Sequence, residues 1–164
     1  MKIMIIEDND FLYKKIADAL NQILDAPTLY RGISRTGSMI TLFNLKKWMD
    51  QVDLVITCNY LPFDSDSYNI KPYAKEIVKI IKERIDADLK VCIYSNEDIE
   101  NCNYDYFIKL NSDTSIYNSI QRVIDDMMGK NKKLFMSNLG QNSNLYEEDL
   151  EKFKEEKQRQ KILK

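Results

Sequence analysis

Two adjacent carboxylates, Glu7 and Asp8, close the first apolar run of the chain, and a thiol, Cys58, closes the third. A hydroxyl, Ser95, follows the fourth run, and an amine, Lys109, ends the fifth. Cys58 is the soft nucleophile of the group. A nearby lysine would lower its pKa, whereas Glu7 and Asp8 would raise it, and two negative charges against one positive favour the neutral thiol. A buried cysteine also serves as a small hydrophobe, so inert and reactive roles both stay open. Glu7 and Asp8 can cap a helix, or pair with Lys109 across the strand ends. Ser95 can cap the short segment after it. Tyr106 reads first as a half-buried strand aromatic. Cys92, inside the fourth run, reads as core. The chain holds no histidine, which excludes histidine acid–base catalysis, histidine metal ligands and a phosphohistidine relay on this chain.

The elements that would position these residues alternate. Lys2 to Ile6 is an apolar run without alternation, the mark of a strand buried on both faces. Asn9 or Asp10 can cap a helix whose face is Leu12, Ile16, Leu20, Ile23 and Leu24. A strand is expected over Thr28 to Ile33, a helix over Met39 to Met49, and a strand over Asp53 to Cys58. Asn59 to Asn69 reads as a polar loop. Ala74, Ile77, Val78, Ile81 and Ile85 recur at helical spacing, and Leu89 to Tyr94 is a fourth strand. Asn96 to Asn103 allows at most two turns of helix. Tyr104 to Leu110 is the fifth strand, and Ile116 to Met127 the last domain helix, ending at Gly129.

This is a (βα)5 pattern, an α/β three-layer sandwich with a parallel five-stranded sheet. In such folds ligands bind at the carboxyl ends of the strands. With the flavodoxin-like order 2-1-3-4-5, the acidic pair, the central nucleophile position, the hydroxyl and the lysine would face one crevice.

In motif order and spacing, residues 1 to 129 resemble the receiver domain of two-component response regulators. The resemblance implies that Glu7 and Asp8 match the pair that holds a divalent metal, that Ser95 matches the conserved hydroxyl position, and that Tyr106 and Lys109 match the switch aromatic and the lysine. The run Cys58-Asn59-Tyr60-Leu61-Pro62 has the family's spacing, with Cys where the phospho-accepting aspartate stands. Leu110 follows the lysine where the family usually has a cis proline. A cis bond before leucine costs about 3 kcal/mol, so a trans peptide is expected. A thiol is a poor ligand for magnesium, so phosphate acceptance at position 58 should be lost and magnesium at Glu7 and Asp8 should be weak.

The bulk properties agree with a soluble globular domain. The 164 residues are 44% hydrophobic and 30% charged, with net charge -2. That gives no basic footprint for direct nucleic-acid binding. No run approaches the length of a membrane span and no signal peptide is read, so the expected location is the cytoplasm. Cys58, Cys92 and Cys102 form no CxxC pair. The four glycines leave no phosphate-binding loop for a nucleotide-binding reading. Residues 130 to 164 read as a linker and a charged helical tail, with Asn144 and Glu147 as a possible cap. The tail is too short for the DNA-binding domain that many response regulators carry.

The sequence therefore points to a non-enzymatic, phosphorylation-independent receiver-like module without a firmly held cofactor. It would act on a protein partner, or on itself, through the helix 4–strand 5–helix 5 face and the tail. The alternative is a thiol-based redox sensor or small cysteine enzyme centred on Cys58.

Overall fold

The structure, a computed structural model, describes residues 1–111 and 113–130. It divides into two units, Met1–Ile124 and Asp125–Lys164. Of the second, residues 125–130 are described, and they carry an Asp125–Lys130 ion pair at 3.8 Å. The remainder of the expected tail lies outside the described residues.

Strands β1 (Lys2–Ile6), β2 (Thr28–Gly32) and β3 (Leu54–Cys58) alternate with helices α1 (Asp10–Ile23) and α2 (Arg35–Lys47). A short hairpin, β4 (Tyr60–Pro62) and β5 (Ile70–Pro72), precedes α3 (Ala74–Ile80). Strands β6 (Lys90–Ser95) and β7 (Tyr106–Lys109) follow, then α4 (Ile116–Met127). The main sheet has the order β2-β1-β3-β6-β7, and all its pairs are parallel. This is the flavodoxin-like arrangement expected from the sequence.

The apolar runs explain the core. Ile3 to Ile6 in β1, Leu54 to Ile56 in β3 and Val91 to Ile93 in β6 are all buried. Strands buried at consecutive positions need cover on both faces, which the helices supply. On one face α1 and α4 meet over Ile56, Tyr94 and Ile108. On the other, α2 and α3 pack together. Each fully buried isoleucine contributes about 1.5–3 kcal/mol of transfer free energy.

Local chemistry sets the boundaries. Asn9 caps α1, its Oδ1 accepting from the Leu12 amide at 3.0 Å. Ser34 caps α2, accepting from the Gly37 amide at 3.1 Å. Helix α2 thus begins four residues before the expected Met39, because a serine cap outweighs the cost of Gly37 in the first turn. Gly32 is required at the end of β2: a Cβ there would lie 2.0 Å from the Ser38 Oγ of α2. The last turn of α3 widens into a π-helical segment, Ile81–Ile85.

Two expectations are corrected. The polar loop 59–69 contains β4, pinned by the fully buried Leu61 and by the Phe63 carbonyl, which accepts from the Thr36 amide at 2.9 Å. The fourth helix is absent, since residues 96–105 form no helix. Their side chains compete for the backbone. Ser95 Oγ accepts from the Glu97 amide at 3.0 Å, and Asn101 adopts a left-handed φ of 51°. The expected helix 4–strand 5–helix 5 face is therefore an irregular segment beside β7 and α4. Between that segment and α3 lies a cavity of about 490 Å³, bordered by Lys75, Lys79, Asn101 and Cys102.

Candidate functional site

The parallel register brings the ends of β1, β3 and β6 side by side. Ile6 pairs with Thr57, and Cys58 pairs with Tyr94. Residues just past these positions must then share one edge. Ligand atoms of Glu7, Asp8 and Cys58 lie within 4.8 Å of one another. Glu7 is 2% exposed and Cys58 7%, while Asp8 is half-buried.

Glu7 is held by two donors. The Asn9 amide donates to its Oε1 at 2.8 Å, and the Tyr94 hydroxyl donates to its Oε2. Burial pushes the Glu7 carboxyl above its ordinary range, and these two hydrogen bonds oppose that rise. Cys58 donates to the Tyr60 carbonyl at 3.4 Å. Burial first, then the charges of Glu7 and Asp8, push its thiol strongly up. It lacks the electropositive surroundings that make a thiol reactive. Burial alone pushes Cys92 up to about 12, in keeping with its expected place in the core.

Ser95 and Lys109 are register partners on β6 and β7, yet their polar atoms are used elsewhere. Ser95 Oγ is engaged with Glu97. Lys109 Nζ lies 2.9 Å from Asp98 Oδ1. The ion pair expected between Lys109 and the acidic pair is therefore not formed, because Asp98, in the irregular segment after β6, competes for the lysine. Tyr106 begins β7 and is half-buried, as expected of a strand aromatic. No peptide bond among the described residues is cis, and Lys109–Leu110 is trans as expected.

Sequence reasoning missed Tyr94 and Arg31. A tyrosine in an otherwise aliphatic buried strand needs a partner for its hydroxyl, and that signal was present. Arg31, on β2, donates to the backbone carbonyls of Glu7 at 3.2 Å and Asp8 at 3.4 Å and pairs with Asp10 at 2.7 Å. It braces the turn after β1. No side chain among the described residues makes a salt bridge to Glu7 or Asp8.

The magnesium that the resemblance implies does not fit this donor set well. Magnesium takes oxygen donors in near-octahedral geometry, and the third donor here is sulfur.

No protein-family model matches the chain, and no curated protein matches it in sequence. Solved structures do match in fold. The RcsB response regulator of Salmonella typhimurium superposes with a TM-score of 0.57 at 15% identity, over 79% of this chain and 60% of that one. This chain thus spans about three fifths of the length of RcsB. The Mn(2+)-bound form of the response regulator Rcp1 gives 0.59 at 11% identity, over 76% of this chain and 91% of that one. A CheY-like receiver domain protein from Methanospirillum hungatei JF-1 gives 0.57 at 12% identity, over 80% and 97%. At these identities the likeness is one of fold, and the fold is that of the receiver domain.

Proposed function

We propose that the chain is a receiver-like regulatory module that works through protein contact and without phosphorylation. The observation that carries this reading is Cys58, which ends β3 beside Glu7 and Asp8 as a buried, neutral thiol. The Glu7 and Asp8 carboxylates repel an incoming phosphate dianion, and a thiol held protonated is a poor nucleophile toward it. Lys109, engaged by Asp98, is not placed to neutralise one. Magnesium is expected to bind weakly, since only Glu7 and Asp8 supply oxygen. No chemical step is assigned, so the module is not read as an enzyme.

The contact face in this reading is formed by residues 96–105, β7 and α4, with Tyr106 and the exposed Tyr117 on it. Residues 1–129 would form the folded domain, and 130–164 a tail that adds a second contact. The redox reading loses support from the same thiol, whose pKa is raised where a sensor needs it lowered. No described helix is long and apolar enough to cross a membrane, and a cytoplasmic location is proposed with the rest.

The test is affinity capture from the native host, with the full chain and with Tyr117→Ala, in the presence and absence of acetyl phosphate. The same protein should be retained with and without the phosphodonor, and lost or reduced with Tyr117→Ala. Retention that requires the phosphodonor would defeat the reading.

A further inference from the structure

The sulfur at the edge of β3 changes which cation the neighbouring carboxylates can hold. We propose that Glu7, Asp8 and Cys58 form a site for a thiophilic divalent cation of the zinc class, and that they discriminate against magnesium. This goes beyond the interaction reading and does not depend on it.

Three observations carry the proposal. The donor atoms lie within 4.8 Å of one another, one from each residue, so small side-chain rotations would bring all three onto a single ion. Two of the three residues are more than nine-tenths buried, while Asp8 is half-buried, which leaves solvent access on one side. The acidic pair is also left without a balancing cation. Lys109 is drawn to Asp98, and Arg31 reaches only the backbone carbonyls of Glu7 and Asp8 before pairing with Asp10. A bound divalent ion would supply that missing charge.

Donor chemistry decides which ion. Zinc accepts mixed sulfur and carboxylate donors, takes four ligands, and commonly completes a three-residue set with water. Magnesium needs near-octahedral oxygen and gains nothing from sulfur. Binding balances simply. The Cys58 S–H bond breaks, its proton leaves to solvent, and an Sγ–metal bond forms. The weak hydrogen bond from Cys58 to the Tyr60 carbonyl, 3.4 Å long, is given up in the exchange.

Cobalt(II) is the probe, because a thiolate ligand gives it a charge-transfer absorption in the near ultraviolet that oxygen ligands do not. The reduced, metal-stripped full chain should develop this band on titration with cobalt. Zinc should abolish it by competition, and magnesium in about hundredfold excess should not. Cys58→Ser should lose the band while Cys102→Ser keeps it. Asp8→Asn should keep the band but weaken cobalt binding about tenfold or more, since even the outer partners of metal ligands cost that much. Cobalt binding without the band, a band that survives Cys58→Ser, or displacement by magnesium would each overturn the proposal. If Cys58→Ser fails to fold, Asp8→Asn decides, and unchanged cobalt affinity in that variant overturns the proposal. None of these outcomes bears on partner capture, so the two readings fail separately.

Discussion

The hydroxyl of Tyr94 donates to Oε2 of Glu7, which joins the end of β6 to the end of β1 across β3. The bond lies beside Cys58, whose strand position is the register partner of Tyr94. It gives one oxygen of a buried carboxylate a protein donor, while the Asn9 amide serves the other. The bond ties together the carboxyl ends of three central strands of the sheet.

Tyr94→Phe should cost about 1–3 kcal/mol, because it leaves a buried carboxylate oxygen without its donor. Urea denaturation of the metal-free chain measures this. The cost should depend on pH. Burial raises the pKa of Glu7 in the folded chain above its ordinary 4.5, so the native state holds the proton more tightly than the unfolded state. Stability linked to Glu7 is then full below 4.5 and falls as pH rises through the folded value. Removing the tyrosine donor raises that value further, so the penalty should be larger at neutral than at acid pH. A pH-independent penalty would show that the bond is not to an ionised carboxylate.

The three thiols should differ sharply in reactivity. Burial pushes all of them up, but Cys102 is only half-buried, and a hydrogen bond with the Tyr104 backbone, then the charge of Lys75, partly offset its rise. Iodoacetamide near neutral pH should modify Cys102 first, and Cys58 and Cys92 only when the chain unfolds. Peptide mapping over time resolves the order. Modification of Cys58 as fast as Cys102 would revive the redox reading.

Two lysines separate structure from surface. Lys82 reaches from the π-helical segment to Asp105 at 2.8 Å and to the Leu89 carbonyl at 2.7 Å, with its side chain 11% exposed. Asp105 also accepts from the Val91 amide at 2.9 Å, so the pair ties α3 to both β6 and β7. Lys82→Met should cost about 1–3 kcal/mol, whereas Lys109→Ala, at an exposed pair, should cost about 0–1 kcal/mol. Burial pushes the Asp105 carboxyl up, but Lys82 and the Val91 amide outweigh it and hold the pKa below 3.8. That contribution is present above 3.8 and lost as pH falls through the depressed value, so the gap between Lys82→Met and wild type should narrow in acid. Thermal melts across pH check both claims.

The strands were legible because short apolar runs such as Ile3 to Ile6 alternate with helical patterns, which implies a parallel sheet, and the flavodoxin-like order was a condition that the structure meets. The convergence of Glu7, Asp8 and Cys58 followed from that order. What sequence could not resolve was competition among polar groups. Asp98 takes Lys109, whereas the bond from the Glu97 amide to Ser95 is the local cap that the sequence allowed. The same polar density keeps residues 96–105 from forming the expected helix. The hairpin hid for a different reason. Its strands are three residues long, and β5 is wholly exposed, so no periodicity marks it.

The most direct test of the account is the intact mass of the full chain after incubation with acetyl phosphate and magnesium, with Cys58→Asp treated alongside. The wild type should stay unmodified. The variant restores a carboxylate beside Glu7 and Asp8, and should gain a phosphoryl group slowly, since Lys109 must leave Asp98 to assist. A stable phosphoryl group on wild-type Glu7, Asp8 or Cys58 would contradict the account.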